Sequence, residues 1–121
     1  MTRYAVGLCA VLAVTSAALL PSSDGRSPHW PAVRAKHLEG HPCCEVCGGK
    51  SELEVHHVVP FHREGGHALE LAPDNLITLC RHDHFLVGHA QSWKASNRTV
   101  REDAVTIRKI LERIKRERDD D

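Results

Sequence analysis

The sequence predicts a small α+β domain: two short strands and a helix gathered around a metal-binding segment, a knuckle-like Cys-x2-Cys ahead of them, and an amphipathic helix at the C-terminus. Three observations carry this. The chain holds ten His and five Cys among 121 residues while aromatics make up only 4%, so a bound ion is the natural supplement to a core too small to hold itself together. Two β-rich runs, Leu53–Val59 and Asn75–Leu79, precede a helical run from Arg81 to His89. Finally, Val100, Ala104, Ile107, Leu111 and Ile114 recur at intervals of four and three, the spacing of one helical stripe.

A domain typically takes about 100 to 150 residues, so one domain is the limit. The formal net charge is zero, which offers no global argument for a polyanionic partner. Low aromatic content also argues against an extended base-stacking platform.

Read in order, residues 1–20 form a signal peptide or membrane anchor. The run YAVGLCAVLAVTSAALL from Tyr4 to Leu20 is uncharged, follows Arg3 and ends at Pro21. It falls short of the roughly 20 residues that span a bilayer comfortably, and Ser16, Ala17 and Ala18 suit a signal peptidase. The expectation is an exported protein, secreted or periplasmic, or one held at the membrane through residues 4–20. Residues 21–28 read as a polar linker and residues 29–121 as the domain.

Trp30 to Leu38 has the composition of a short helix with Pro31 in its first turn. Gly40 and Pro42 stop it, and Cys44 to Cys47 followed by Gly48 and Gly49 reads as a tight knuckle. A Gly65-Gly66 loop joins the two strands. The last helix covers residues 99–118. Its apolar stripe should pack against the body, and its Arg and Lys residues, among them Arg108, Lys109, Arg113, Lys115, Arg116 and Arg118, should form a solvated face. His29, His37, His41, His62 and His67 read as surface residues. Asn97 or Thr99 should cap the last helix.

The chemistry lies in the order Cys44-x2-Cys47, His56-His57, Asn75, Cys80, His84 and His89. Phosphodiester hydrolysis needs a water deprotonated near neutral pH and a cation on the phosphate and the leaving oxygen. Histidine suits the first task and a metal the second. Successive strand side chains point to opposite faces, so His56 and His57 divide the work as one ligand and one base. Helical residues four apart share a face, which calls for a ligand near position 88. That position is Gly, and His89 can reach the ion if the helix ends or bulges at Gly88.

LEVHHVVPF, PDNLITLC and HDHFLVGH together resemble the HNH endonuclease family, with WPAVR and SWKASN resembling a bacterial subgroup. The resemblance covers the core motif 44–89 and implies a ββα-metal, or His-Me finger, core: a β-hairpin and a helix clasping one divalent ion (Mg²⁺, Mn²⁺, Ni²⁺ or Zn²⁺). It implies a metal-dependent endonuclease acting on DNA, with His56, His84 and His89 as metal ligands and His57 activating water. Asn75 would hold the hairpin loop and so orient His57.

Many relatives also hold a structural zinc on two Cys-x2-Cys pairs. Here the first pair, Cys44 and Cys47, is intact. Of the second only Cys80 remains, with Asp83 at the place of the other cysteine. One reading is a zinc site of Cys44, Cys47 and Cys80 completed by Asp83 or His82. The other, in an oxidising compartment, is a disulfide among Cys43, Cys44, Cys47 and Cys80, or free thiols. The rival functional class is a non-catalytic, zinc-stabilised nucleic-acid-binding module or a decayed domain.

Overall fold

A computed structural model describes residues 24–120. The signal or anchor reading of residues 1–20 and the start of the linker lie outside the described residues. Among those described, no helix is long and apolar enough to cross a membrane.

The elements run α1 (Trp30–Gly40), β1 (Leu53–His57), α2 (Gly66–Leu69), a 3-10 turn (Pro73–Asn75), β2 (Leu76–Cys80), the single turn α3 (Arg81–Asp83), a π turn (His84–Gly88) and α4 (Val100–Asp119). Pro31 occupies the first turn of α1, where its missing N–H costs nothing. The second strand starts one residue later than the sequence suggests, because Pro73 sets up the 3-10 turn and Asn75 belongs to it.

β1 and β2 form a two-stranded antiparallel sheet in which Glu54 faces Leu79, Val55 faces Thr78, His56 faces Ile77 and His57 faces Leu76. Directly paired residues share a face, so Glu54, His56, Ile77 and Leu79 point to one side and Val55, His57, Leu76 and Thr78 to the other. Ile77 and Leu79 join Cys44, Val46, Val100 and Ala104 in the buried core. On the opposite face α1 covers the hairpin, with the Trp30 ring 4.4 Å from that of His57 and the Thr78 hydroxyl donating to the carbonyl of His41 at 2.9 Å.

The C-terminal helix departs from the sequence expectation. Val100 and Ala104 are buried and Ile107 packs on the core, but Leu111 and Ile114 remain 43% and 44% exposed. The reason is length: 20 residues of helix reach about 30 Å, whereas strands of five residues span only about 17 Å. The stripe therefore outruns the body. The start of α4 is tied down by Arg101, which donates to the carbonyls of Asp74 and Leu76 at 2.6 and 2.7 Å. Thr99 makes no side-chain cap; instead the Asp103 carboxylate accepts from both Asn97 and Thr99, at 2.7 and 3.0 Å.

This division of α4 is measurable by urea denaturation. Leu79→Ala, at a fully buried position, should cost about 2–5 kcal/mol. Ile114→Ala should stay within about 0.5 kcal/mol of the wild type.

Candidate active site

The hairpin presents His56 and His57 back to back. Both are buried, at 3% and 7% exposure, but they meet different partners. His56 faces the π turn, its Nδ1 lying 3.1 Å from Nε2 of His84. His57 faces α1 and the loop after β1.

The π turn settles how His84 and His89 lie together despite a five-residue spacing. The His89 N–H donates to the carbonyl of His84 at 3.0 Å, an i to i+5 bond that widens the turn by one residue. The two rings come within 4.8 Å, centroid to centroid, and each lies about as close to His56, at 5.0 and 5.1 Å. The segment read as a continuous helix from Arg81 to His89 is thus one α turn followed by one π turn. Gly88 completes the cradle. A Cβ there would sit 3.1 Å from Nδ1 of His56 and 3.2 Å from Cδ2 of His84, so even alanine would crowd two of the three rings.

Hydrogen bonding fixes which nitrogens carry lone pairs. His84 Nδ1 donates to the Glu54 carboxylate at 2.5 Å, and His89 Nδ1 donates to the carbonyl of Ala95 at 2.7 Å. Both acceptors lack protons, so Nε2 of His84 and of His89 are free to coordinate. One atom of each of His56, His84 and His89 lies within 4.8 Å of the others. The 3.1 Å separation between His56 and His84 approaches the edge of about 3.4 Å expected for two nitrogens on a tetrahedral ion at normal Zn–N distance. Nε2 of His56 is buried without a partner.

Electrostatics agrees with a cation here. Burial, reinforced by His84, His89 and His57, pushes the His56 pKa down to about 3, keeping the ring neutral and able to donate its lone pair. Burial also lowers His84, with Glu54 opposing it. For Glu54, burial pulls upward, but hydrogen bonds from His84 and Arg81 outweigh it and hold the carboxyl below its usual range. The residues present fit a divalent ion held by three imidazoles, with Glu54 orienting one of them.

His57 has a different environment. Its Nε2 lies 2.9 Å from the main-chain oxygen of Glu70. A carbonyl only accepts, so the proton is on Nε2 and the lone pair on Nδ1. Burial first, and Arg26 next, lower the His57 pKa, with the Glu70 carbonyl opposing them. Asn75 closes the loop behind it. Its Oδ1 accepts from the Val59 N–H at 2.8 Å, while Nδ2 donates to the carbonyls of Val59 and Leu69 at 2.9 and 3.1 Å. A cleft of about 150 Å³ is lined by His56, His57, His84 and His89, together with Arg26, Phe61 and His62. His62 therefore lines the cleft as well as being exposed. Hollows of about 350 and 400 Å³ lie beside α4 and beneath α1, but neither is lined by the clustered histidines or thiols.

A second group gathers Cys44, Cys47, Cys80 and Asp83, with one ligand atom of each within 4.8 Å of the others. The thiols of Cys44 and Cys80 donate to Oδ2 of Asp83 at 3.2 and 3.3 Å, and Cys47 lies 3.9 Å from Cys80, sulfur to sulfur. Sulfurs at normal Zn–S distance on a tetrahedral ion would sit about 3.8 Å apart. The cluster is consistent with a zinc knuckle. Asp83 rather than His82 faces the sulfurs; His82 sits outside, its Nδ1 donating to the other carboxylate oxygen at 3.2 Å. Cys43, Cys44, Cys47 and Cys80 are all free thiols. Burial pushes the Cys47 thiol up to about 12; a coordinated cation reverses that preference.

Glu54, Glu70 and Arg26 have no site role in the sequence reading, and Trp30 enters it only as the start of the first helix and of the WPAVR piece. Glu54 carries a strand signal, since residues two apart on a strand share a face and Glu54 stands two before His56. Glu70 contributes a main-chain oxygen, which no residue pattern announces.

Residues 44–89 match the family model of the HNH endonuclease. No curated protein and no solved structure matches the chain. The matched segment spans the knuckle, the hairpin and the α and π turns that follow it, and it supports a nuclease-family function in general.

Two substitutions outside the ligands test the cradle. Glu54→Gln and Gly88→Ala should each weaken divalent-ion binding at the histidine trio by about 10- to 100-fold, in line with other supporting residues of metal sites. Titration calorimetry with Zn²⁺ or Ni²⁺ on protein already holding one tightly bound zinc would measure it.

Proposed function

Taking residues 44–89 as an HNH nuclease segment, we propose that the chain is a metal-dependent endonuclease hydrolysing DNA phosphodiester bonds. The observation that carries the reading is the division of labour across one strand: three imidazoles converging on the His56 side, and His57 lining the same cleft with its proton held by a main-chain carbonyl.

A divalent cation held by His56, His84 and His89 would supply Lewis acidity to a non-bridging oxygen and to the departing oxygen of the phosphodiester. His57 takes a proton from the attacking water at Nδ1. Its Nε2–H bond to Glu70 keeps the ring in that tautomer and delocalises the positive charge that develops. As the water oxygen bonds to phosphorus, the P–O bond to the leaving oxygen breaks; that oxygen takes up a proton from solvent water, and His57 returns its own to solvent. Asn75 touches neither water nor phosphate in this scheme; it holds the loop that positions His57 and Glu70. The cysteine cluster with Asp83 would hold a structural zinc. The apolar run at residues 4–20 is read as a signal peptide or anchor, which would deliver the nuclease outside the cytoplasm or to a membrane surface.

Cleavage of supercoiled plasmid should require Mg²⁺, Mn²⁺, Ni²⁺ or Zn²⁺ and stop on chelation. His57→Ala should lose about 10²- to 10⁴-fold in rate while retaining the ion at the trio, and His84→Ala should lose both ion and cleavage. A His57→Ala protein cutting as fast as the wild type would remove His57 from its role. DNA bound but never cut, with any of these ions, would favour a binding module.

Total metal gives an independent check. An intact protein should hold about two ions per chain, and Cys47→Ser should lose the tighter one together with most thermal stability.

A further inference from the structure

The HNH match begins at residue 44, yet residues ahead of it build one wall of the cleft. The Ser27 N–H donates to both carboxylate oxygens of Glu70, at 3.1 and 3.3 Å. Glu70 is buried, and its main-chain oxygen is the partner of His57. One residue thus fastens the N-terminal arm and the candidate base to the same point. Beyond Ser27, Trp30 lies against the His57 ring.

Arg26 is carried on this arm. Its guanidinium carbon lies 4.5 Å from the centre of the Phe61 ring and 5.0 Å from that of Trp30, with the Asp24 carboxylate 4.0 Å away. Two aromatic rings restrict a side chain that would otherwise be among the most mobile, and a planar guanidinium stacks on them in a way an ammonium does not. Arg26 is the one permanently charged side chain among the described residues lining the cleft. The other polar groups there are imidazoles.

A phosphodiester brings one negative charge into such a cleft, and more charge gathers on its non-bridging oxygens as a nucleophile adds. The histidine trio can answer that charge from one side, through a cation. We propose that Arg26 answers it from the His57 side, as a phosphate-binding residue whose N–H fork engages the non-bridging oxygens of the scissile phosphodiester. The proposal rests on the nuclease reading above. It extends the functional unit back to residue 26, so that the end of the segment read as a linker, residues 26–28, belongs to the active site together with α1.

The test uses the full chain and separates this proposal from the nuclease reading itself. In a His57→Ala background, binding of a short fluorescent DNA duplex is followed by anisotropy across salt concentrations. Arg26→Ala should weaken binding by roughly tenfold and lower the salt slope by about one. Unchanged affinity and slope would overturn the proposal whether or not the wild type cuts DNA. In the cleaving protein, Arg26→Ala should lower kcat by about 10²- to 10³-fold with zinc affinity at the trio unchanged. Added guanidinium ion should restore part of that rate, and Arg26→Lys should recover less than a tenth of it. A residue that merely packs Trp30 and Phe61 would show no guanidinium rescue and would be replaced equally well by Arg26→Met; either result would overturn the phosphate-binding role. A wild type that binds the duplex through Arg26 but never cuts would instead sink the nuclease reading and leave the phosphate contact standing.

Discussion

Antiparallel pairing of β1 with β2 is the constraint on which the rest depends. Register sets His56 opposite Ile77 and His57 opposite Leu76, and strand alternation then sends two adjacent imidazoles to opposite faces. A slip of one residue would exchange them, putting His57 against the π turn and His56 against Trp30. The register is held because the same alternation buries Ile77 and Leu79 with the core, and because the Asn75 side chain bridges the loop back to Val59 and Leu69.

The two candidate ion sites are joined through a pair of neighbours, Asp83 and His84. Asp83 turns to the three thiols and His84 to His56. An ion among the thiols would therefore brace the turn that carries His84 and His89, with no large apolar core needed behind it. In a chain this short such bracing is valuable, since few fully buried apolar side chains are present among the described residues and small domains lean on metals for that reason. It also gives a physical role to the missing fourth cysteine: a carboxylate still offers zinc an oxygen at bonding distance, and Asp83 also receives His82 on its other oxygen.

Much of the fold was legible because it rests on local periodicity. The β runs, Pro31 at the start of α1, the break after Leu38 and the stripe of α4 are all short-range signals, and the observed elements follow them to within a residue or two. Local periodicity does not carry extent. The stripe on α4 continues to Ile114, but burial depends on how far the body reaches, and nothing in the helix's own periodicity encodes that length. The site divides in the same way. Histidine and cysteine positions were visible as residue types, whereas the closeness of His84 and His89 depends on a backbone hydrogen bond between residues five apart.

The sequence by itself determined the inventory: which side chains can ligate, that His56 and His57 must part company on a strand, and that Gly88 stands where a ligand would be expected. Tertiary structure alone decided the assembly. It put Glu54 behind His84, the Glu70 carbonyl behind His57 and Arg26 into the cleft from outside the matched segment, because these are contacts between residues 13 to 35 positions apart whose partners include main-chain atoms. Residue type specifies what a group can do, but only packing of distant segments specifies which lone pair points where.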